Sequence, residues 1–412
     1  MKIAYITAQT PFGCGETFIL EEIIAIKELG ADVLVIPRNP RKNVYHQEAQ
    51  QLLSCTVWLP LMNWRILREF AKEMLLNHKL RHLLLEVIRN SRTPKILAKN
   101  IAVIPKAVFI AGLIRKKDID HIHVHWGSTT STLGWLVSEI TGIPWSMTLH
   151  RWDIEENNML RLKAKSATFV RCISQVGKDE VLKIIGKGQQ DKAIVIHMGA
   201  RIPNVPLSSQ RPLRSEFIIA CPANLRRVKG HRYLIEACKI LSMEEDINLR
   251  CLLIGDGHLR REIESYINRL GMKGIVKMAG QMPHEKLMQI YVRKEVDIVV
   301  LPSIITDKGE KEGIPVSLIE AMSYCIPVIA TETGGILELL SGGAGITVKE
   351  KSAKDLADAI RRLICDQNLY NETAKRGFQR VKERFDLYKN ASMLLNKMTE
   401  KPKETTMTRM HN

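Results

Sequence analysis

The stretch MKIAYITAQTPFGCGETFILEEIIAIKELGADVLVIPRN (Met1–Asn39) contains the pattern that decides the fold. Its first apolar run predicts a buried strand, and a glycine-containing loop follows. The next segment has the periodicity of an amphipathic helix that ends near Gly30, and a second apolar strand comes after it. This is a strand–helix–strand unit. The loop after its first strand lies at the carboxyl edge of the sheet, where open α/β folds bind ligands.

The same alternation of strand and helix continues along the chain. The apolar runs are continuous, as expected of parallel strands that helices bury on both faces. They read ADVLVIP, AIVIHMG, FIIACPA, LRCLLIGDG, DIVVLPS and IPVIATE. A chain of 412 residues is long enough for two domains of ordinary size. The sequence therefore predicts an α/β protein with two Rossmann-like, doubly wound domains.

Changes in composition predict the domain boundaries. A Pro-, Ser- and Arg-rich stretch at 203–215 is typical of an interdomain linker. The remaining predicted parts are an N-terminal domain over 1–202 with a basic helical insert at 64–117, a C-terminal domain over 216–375, a C-terminal helix over 376–398 that packs back toward the N-terminal domain, and a polar tail over 399–412.

Composition favours an intracellular protein with an anionic partner. The N-terminus lacks the regions of a signal peptide, and we expect no membrane span because no uninterrupted apolar run reaches about 18 residues. The eight cysteines are scattered singly, which suits reduced core thiols better than disulfides or a zinc site. The formal charge of +17 fits a nucleotide, a nucleic acid or a membrane surface.

The segment 64–117 is helical, rich in Leu and Ile, and strongly basic. An apolar helix face beside lysines and arginines is what an interfacial segment needs, because anionic headgroups attract the charge while the apolar face inserts shallowly. The ordinary alternative is a solvated helix face. We expect this segment to face the acceptor and the inner surface of the cytoplasmic membrane. Its basic residues are Arg65, Arg68, Lys72, Lys79, Arg81, Arg89, Arg92, Lys95, Lys99, Lys106, Arg115, Lys116 and Lys117.

Two carboxylates flank a predicted helix start in EGIPVSLIEAM, with Glu312 before the turn and Glu320 inside the helix. Pro315 suits the first helical turn, and the free amides of that turn form an anion site. The carboxylates cannot bind phosphate favourably, but they can accept strong hydrogen bonds from hydroxyls. A ligand with a central diphosphate and a hydroxyl-rich ring at each end, such as a nucleotide sugar, would satisfy all of these groups.

In its wider context, GEKEGIPVSLIEAMSYCIPVIATETGGILELL, this stretch resembles the E-x7-E signature of family 4 of the retaining glycosyltransferases, especially members that build bacterial exopolysaccharides. The resemblance implies a GT-B fold, in which two Rossmann-like domains face a central cleft. It implies that Glu312 holds sugar hydroxyls and acts in catalysis, and that Glu320 holds the ribose. Residues implied to bind the donor around the helix start are Gly313, Ile314, Pro315 and Val316.

Other motifs match the family in the expected order. ANLRRVKGHRYLIEA resembles its diphosphate-binding segment, in which Lys229 and Gly230 match and Asn224 occupies the usual Arg position. Whether Arg226 or Arg227 replaces that arginine is left open. In LLIGDG, Gly255 and Gly257 would let the backbone run close to the donor. Taken without the motif, Lys229 could be a surface lysine and the glycines a tight turn.

In the first domain, TLHRWDI resembles the family's A-H-x-x-D-I stretch, which implies that His150 lies near the reacting carbon. Without the motif, His150 could be a structural hydrogen-bonder, and we assign His123 and His125 to core and loop support. PFGCGETFILEE resembles the acceptor-side loop. It offers Gly13, Gly15, Glu16 and Thr17 to an acceptor or phosphate, although the same residues fit a plain helix start. In HMGAR, Arg201 replaces the family's Asp.

The resemblance implies metal-independent transfer of a hexosyl group, with retention, from a UDP- or GDP-sugar to a lipid-linked or saccharide acceptor. No cofactor and no metal site are expected, since no clustered Asp or His set has ligand spacing. Nucleic-acid binding is disfavoured because no recognised binding module is present. The alternatives are an epimerase or phosphorylase of the same fold, or an inactive membrane-bound scaffold, for which Asn224 is the main argument.

Overall fold

The computed structural model describes residues 1–13, 15–204 and 207–400. Parts of two predicted segments, 205–206 of the linker and 401–412 of the polar tail, lie outside these residues. The described chain forms two six-stranded sheets in which every strand pairs parallel with its neighbours. Helices cover the sheets, and the predicted α/β class with two Rossmann-like lobes is confirmed.

The first sheet has the order β2-β1-β3-β4-β5-β6. The order reverses between β1 and β3, so the loops after these two strands diverge and leave a crevice at the carboxyl edge. Its strands are β1 (Lys2–Thr7), β2 (Asp32–Pro37), β3 (His121–His125), β4 (Trp145–Leu149), β5 (Val170–Cys172) and β6 (Ala193–Val195).

The second sheet has the order β12-β11-β10-β7-β8-β9, with its reversal between β7 and β10. Numbered within the lobe, this is the strand order of dinucleotide-binding folds. Its strands are β7 (Phe217–Pro222), β8 (Leu249–Ile254), β9 (Val276–Gly280), β10 (Ile298–Leu301), β11 (Val328–Thr331) and β12 (Ile346–Val348).

The helices follow the strands in both lobes. They are α1 (Thr17–Glu28), α2 (Gln50–Leu53), α3 (Trp64–Leu76), α4 (His78–Asn90), α5 (Pro94–Ile114), α6 (Thr129–Thr141), α7 (Arg151–Glu156), α8 (Leu160–Ser166), α9 (Gln175–Ile185), α10 (His231–Leu241), α11 (Arg260–Arg269), α12 (His284–Val292), α13 (Val316–Ser323), α14 (Ile336–Leu340), α15 (Ala353–Cys365), α16 (Gln367–Arg384) and α17 (Leu387–Thr399).

The C-terminal stretch that the sequence predicts as one helix over 376–398 is two helices. α16 ends at Arg384 because the backbone of Phe385 leaves the helical region, with φ of −125° and ψ of 20°, and Asp386 then caps α17 by accepting from the backbone of Tyr388 and Lys389. The apolar face of α17 joins the core cluster of the first lobe that also contains α1. The chain thus returns from the second lobe to the first.

The segment 64–117 is divided between surface and core. α5 packs against α3 and α6, and the buried ammonium of Lys106 donates to the carbonyls of Pro37, Arg38 and Leu59 at 2.6–2.9 Å. The prediction that counted Lys106 with the surface charge is therefore wrong. By length and composition, α5 is the one described helix that could cross a membrane, contrary to expectation, but 56% of its apolar window is buried, as in the core helix of a soluble protein.

Candidate active site

A cleft of about 410 Å³ lies between the two lobes. Its walls come from loops that follow strands of both sheets, on both sides of the two points where strand order reverses. Open α/β sheets bind ligands at these points. Twelve predicted residues line it: Gly15, Thr17, His150, Asn224, Lys229, Gly255, Glu312, Gly313, Ile314, Pro315, Val316 and Glu320.

The Glu312 carboxylate and the Lys229 ammonium are joined at the second-lobe wall. Lys229 Nζ lies 2.6 Å from Glu312 Oε2, and the Ser303 hydroxyl donates to the same oxygen at 3.1 Å. Lys229 ends the turn after β7, whereas Ser303 and Glu312 follow β10, so the pair spans the reversal of the sheet. Both side chains keep some exposure to the cleft, at 18% for Lys229 and 14% for Glu312.

The N-terminus of α13 opens on this wall. Val316 and Ser317 line the cleft, and their amides belong to the turn that has no intrahelical partner. Pro315 is the N-cap and not part of the first turn as predicted, because its ψ of 117° is extended. The loop before it packs against the backbone of Gly334, whose φ is +53°. A Cβ at this position would lie 1.8 Å from the Glu312 carbonyl oxygen, so only glycine allows the two backbones to pack this closely.

Glu320 also lines the cleft and is paired with His284 at the start of α12. His284 Nε2 is 3.0 Å from Glu320 Oε1, and its Nδ1 is 3.7 Å from Glu48 Oε1 of the first lobe. Although burial lowers the pKa of His284, the charge and hydrogen bond of Glu320, with contributions from Glu48 and Glu21, raise it to about 11. The ring is therefore an imidazolium that contacts both lobes.

His150 is part of the first-lobe wall, and the residue is 6% exposed. Its Nε2 is 3.3 Å from His125 Nδ1, and the Trp126 ring packs 4.4 Å from it. Burial and the nearby His125 hold the pKa of His150 well below its ordinary value, so the imidazole is neutral near pH 7. It can donate or accept one hydrogen bond but does not bring a positive charge to the cleft.

A buried network of hydrogen bonds and ion pairs lies behind His150, on the side away from the cleft. His125 Nε2 lies 2.8 Å from Glu22 Oε1, and Arg171 lies 2.5 Å from the other oxygen of Glu22. Burial raises the pKa of Glu22, but Arg171 and His125 outweigh it and hold that pKa well below its ordinary value. His123 lies in the same core and bonds Ser146 and Thr148, in keeping with its predicted supporting place.

Asp153 holds the backbone of the His150 turn, which sequence reasoning did not assign. Its Oδ2 accepts from the His150 amide at 2.9 Å, and burial raises the pKa of Asp153 to about 7. The signal was present in the H-x-x-D spacing, because a carboxylate three residues into a helix can reach back to the amide that precedes it. Trp126, Arg151, Ser303 and His284 are further cleft or support residues that the sequence reading missed.

Asn224 stands where the resemblance expects an arginine, and the structure shows which nearby arginine reaches the cleft. Asn224 and Arg226 line the cleft, and the Arg226 guanidinium lies 5.5 Å from the centre of the Trp152 ring across the gap between lobes. Arg227 lines a separate cavity behind this loop. Of the two candidates that the sequence left open, Arg226 is the one at the cleft wall.

Four of the predicted site residues do not line the cleft: Gly13, Glu16, Gly230 and Gly257. A Cβ on Gly257 or Gly255 would come within 2.5 Å of the carbonyls of the 223–225 loop, so both glycines allow close approach to this loop, and only Gly255 also lines the cleft. Glu16 accepts from the amides of Gln9 and Thr10 and from the Trp126 indole at 2.6–2.9 Å. Its carboxylate organises the loop and is already bonded, contrary to the prediction that it is available to a phosphate.

Two described clusters have the spacing of metal ligands. One is Glu22 with His123 and His125, whose carboxylate is already bonded to Arg171. The other is Glu21, Glu48 and His284, at the boundary between the lobes. The sequence reading did not find either cluster, because their members come from distant parts of the chain.

Residues 208–380 match the family model for group 1 glycosyl transferases, which covers the second lobe and its cleft wall. The amylovoran biosynthesis glycosyltransferase AmsK of Erwinia amylovora is 26% identical over 88% of this chain and 90% of its own length. The chain therefore has the GT-B fold, and its second lobe is similar to the group 1 glycosyl transferases. The predicted resemblance to this class is confirmed.

Two further comparisons agree with this assignment. The putative teichuronic acid biosynthesis glycosyltransferase TuaC of Bacillus subtilis is 27% identical over 68% of this chain and 71% of its own length. The crystal structure of Anabaena Alr3699/HepE in complex with UDP-glucose superimposes with a TM-score of 0.69, at 18% identity, over 96% of this chain and 98% of the HepE chain.

Proposed function

We propose that this glycosyltransferase moves a hexosyl group from a nucleotide diphosphate sugar to a lipid-linked or saccharide acceptor in bacterial surface or exopolysaccharide synthesis, with retention of configuration. The observation that carries the proposal is the arrangement of Lys229, Glu312 and Glu320 around the N-terminus of α13 in one cleft. Support for the donor class comes from the UDP-glucose complex of the HepE structure, and support for the role from the amylovoran and teichuronic acid relatives.

The charges of the cleft suit a diphosphate leaving group. The positive end of α13 and the Lys229 ammonium would stabilise the charge that grows on the nucleotide diphosphate as its bond to the sugar breaks. An ammonium has three donors, so Lys229 can keep its bond to Glu312 and still donate to a phosphate oxygen. Glu312 would accept from sugar hydroxyls, Glu320 from the ribose, and the neutral His150 would bond the sugar from the opposite lobe.

The acceptor hydroxyl would attack the anomeric carbon on the face that the diphosphate leaves. The bond from this carbon to the diphosphate oxygen breaks, the bond to the acceptor oxygen forms, and the hydroxyl proton passes to the departing phosphate oxygen. This step needs no protein nucleophile. It accounts for retention in one displacement on the same face.

The donor is tested by thermal denaturation of the purified protein with UDP, GDP, ADP and their sugars, because a ligand that binds only the folded state raises the melting temperature. One nucleotide should stabilise the protein, and Glu320→Ala should abolish the effect, whereas Glu295→Ala at an exposed site should retain it. NMR of the product's anomeric centre then reports retention or inversion. An inverted product, or no shift with any nucleotide, would contradict the proposal.

We further propose that α3 and α4 rest on an anionic membrane surface. Large apolar side chains stand exposed there beside the basic residues, with Trp64 at 76%, Leu75 at 80% and Leu76 at 69%. Such a pairing of exposed apolar and basic groups is typical of interfacial helices. Leu75→Ser with Leu76→Ser should lower co-sedimentation with vesicles of anionic lipid, whereas Leu213→Ser, an exposed leucine outside this surface, should not. Equal binding to zwitterionic vesicles would contradict the electrostatic part of the proposal.

A further inference from the structure

The contact between His284 and the first lobe lies beside the cleft and is not explained by the transfer chemistry. His284 and Glu320 line both the cleft and a neighbouring cavity of about 260 Å³. Glu48 and Glu21 of the first lobe line only the neighbouring cavity among the described walls. His284 therefore stands between a carboxylate that faces the donor and a carboxylate of the opposite lobe.

The contact is more than one ion pair. Beside it, the Glu285 carboxylate accepts from the backbone amides of Gln47 and Glu48. The start of α12 on the second lobe is thus joined to the 46–48 segment of the first lobe by side-chain and backbone groups. The exposed fractions are 14% for His284, 13% for Glu320 and 24% for Glu48, so water screens these charges only partly.

We propose that His284 is a positioning residue, which orients Glu320 for the donor's nucleoside and, through Glu48, couples donor binding to closure of the two lobes. The inference rests on the proposed donor role of Glu320. An imidazole ring has two opposed nitrogens, and here one faces each lobe, so Glu48 on one side favours the ring orientation in which the other nitrogen bonds Glu320.

Electrostatics supports this geometry. Burial lowers the pKa of His284, yet the carboxylates raise it to about 11, and the nearby His284 contributes to lowering the pKa of Glu48 to about 2 against the effect of burial. His284 and Glu48 are therefore both charged near pH 7. Burial also raises the pKa of Glu21, which lies in the same cluster.

The test is a double-mutant cycle on donor affinity in the full chain, measured by calorimetry with the nucleotide sugar that stabilises the wild type. Glu48→Gln lies outside the cleft lining but should weaken donor binding by roughly tenfold, as expected of coupled sites. His284→Gln should weaken it at least as much, and the double variant should bind no more weakly than His284→Gln. Surface variants His258→Gln and Glu245→Gln are the matched controls.

Kinetics separate positioning from general stability. Glu48→Gln and His284→Gln should each raise the donor KM more than they lower kcat, because the groups that contact the reacting sugar and diphosphate are unchanged. Additive losses in the cycle, or unchanged donor affinity in Glu48→Gln, would overturn the proposal. If His284→Gln does not fold, Glu48→Gln and Glu48→Ala carry the test alone.

A second measurement keeps this inference apart from the proposed function. Small-angle X-ray scattering should give a larger radius of gyration for Glu48→Gln than for the wild type, whether or not any nucleotide binds. Absence of donor binding in the wild type would refute the proposed function only, whereas an unchanged radius would refute the coupling. Donor affinity that rises with added Mn²⁺ and loses that rise in Glu21→Gln would also refute it, because a metal would then bridge the lobes.

Discussion

The two walls of the cleft are built in different ways. On the first lobe, His150 is held by buried charged and polar side chains, ending in the Glu22–Arg171 pair. On the second lobe, the loops are shaped by backbone packing, in which glycines allow one loop to lie against another. The first wall thus depends on charge pairing across long sequence distances, whereas the loops of the second wall depend mainly on backbone packing, so the two should fail under different substitutions.

The largest expected effect is on the first wall. Arg171→Leu removes the partner of a buried carboxylate and the donors to the carbonyls of Ile196 and His197, and should lower the free energy of unfolding by about 3–5 kcal/mol. Urea denaturation measures this, with Arg161→Leu at an exposed site as the control. Adding Glu22→Gln to Arg171→Leu should restore part of the loss, and no restoration would show that the charge pair is not the cause.

A smaller effect is expected on the second wall. Gly255→Ala places a Cβ 2.2 Å from the Ala223 carbonyl oxygen at a φ of +142°, and should cost on the order of 2–3 kcal/mol of unfolding free energy. Gly274→Ala, where a Cβ meets open space, is the matched control. Equal stability of the two variants would contradict the idea that backbone packing shapes this wall.

The loop after β3 provides a further comparison on the first wall. Lys163 is buried, and its ammonium donates to the carbonyls of Gly127 and Ser128 at 3.0 and 2.9 Å. Lys163→Met keeps the apolar stem but leaves two carbonyls unpaired, and should lower the free energy of unfolding by about 1–2 kcal/mol. Lys165→Met, on the exposed side of the same helix, should change it little in the same urea titration.

This contrast explains which parts could be predicted from sequence. The fold follows from the continuous apolar strands, and the second wall follows from motifs in which Glu312, Pro315 and Glu320 are near neighbours in the chain. The first wall joins Glu22 to Arg171 across 149 positions, and no local pattern reports such a pair. His284 was missed for the same reason, since its partner Glu48 belongs to the other lobe. Its place among the site residues depends on tertiary packing.

A pH-dependent effect is expected where the two walls meet. His284 has a pKa of about 11 in the folded protein against 6.5 without its partners, so between these values the folded state holds a proton that the unfolded state has lost. Its stabilising contribution is complete below pH 6.5 and declines as the pH rises toward 11. The facing charged groups are Glu320, Glu48 and Glu21.

The wild-type melting temperature should therefore fall more between about pH 6 and about pH 9 than that of His284→Gln, which has no such proton to lose. The difference between the two proteins isolates His284, because the other titrating groups are common to both. His258→Gln should follow the wild type. Parallel pH profiles for wild type and His284→Gln would mean that the imidazolium does not hold the lobes together, and that the hydrogen bonds from the Gln47 and Glu48 amides to the Glu285 carboxylate matter more there.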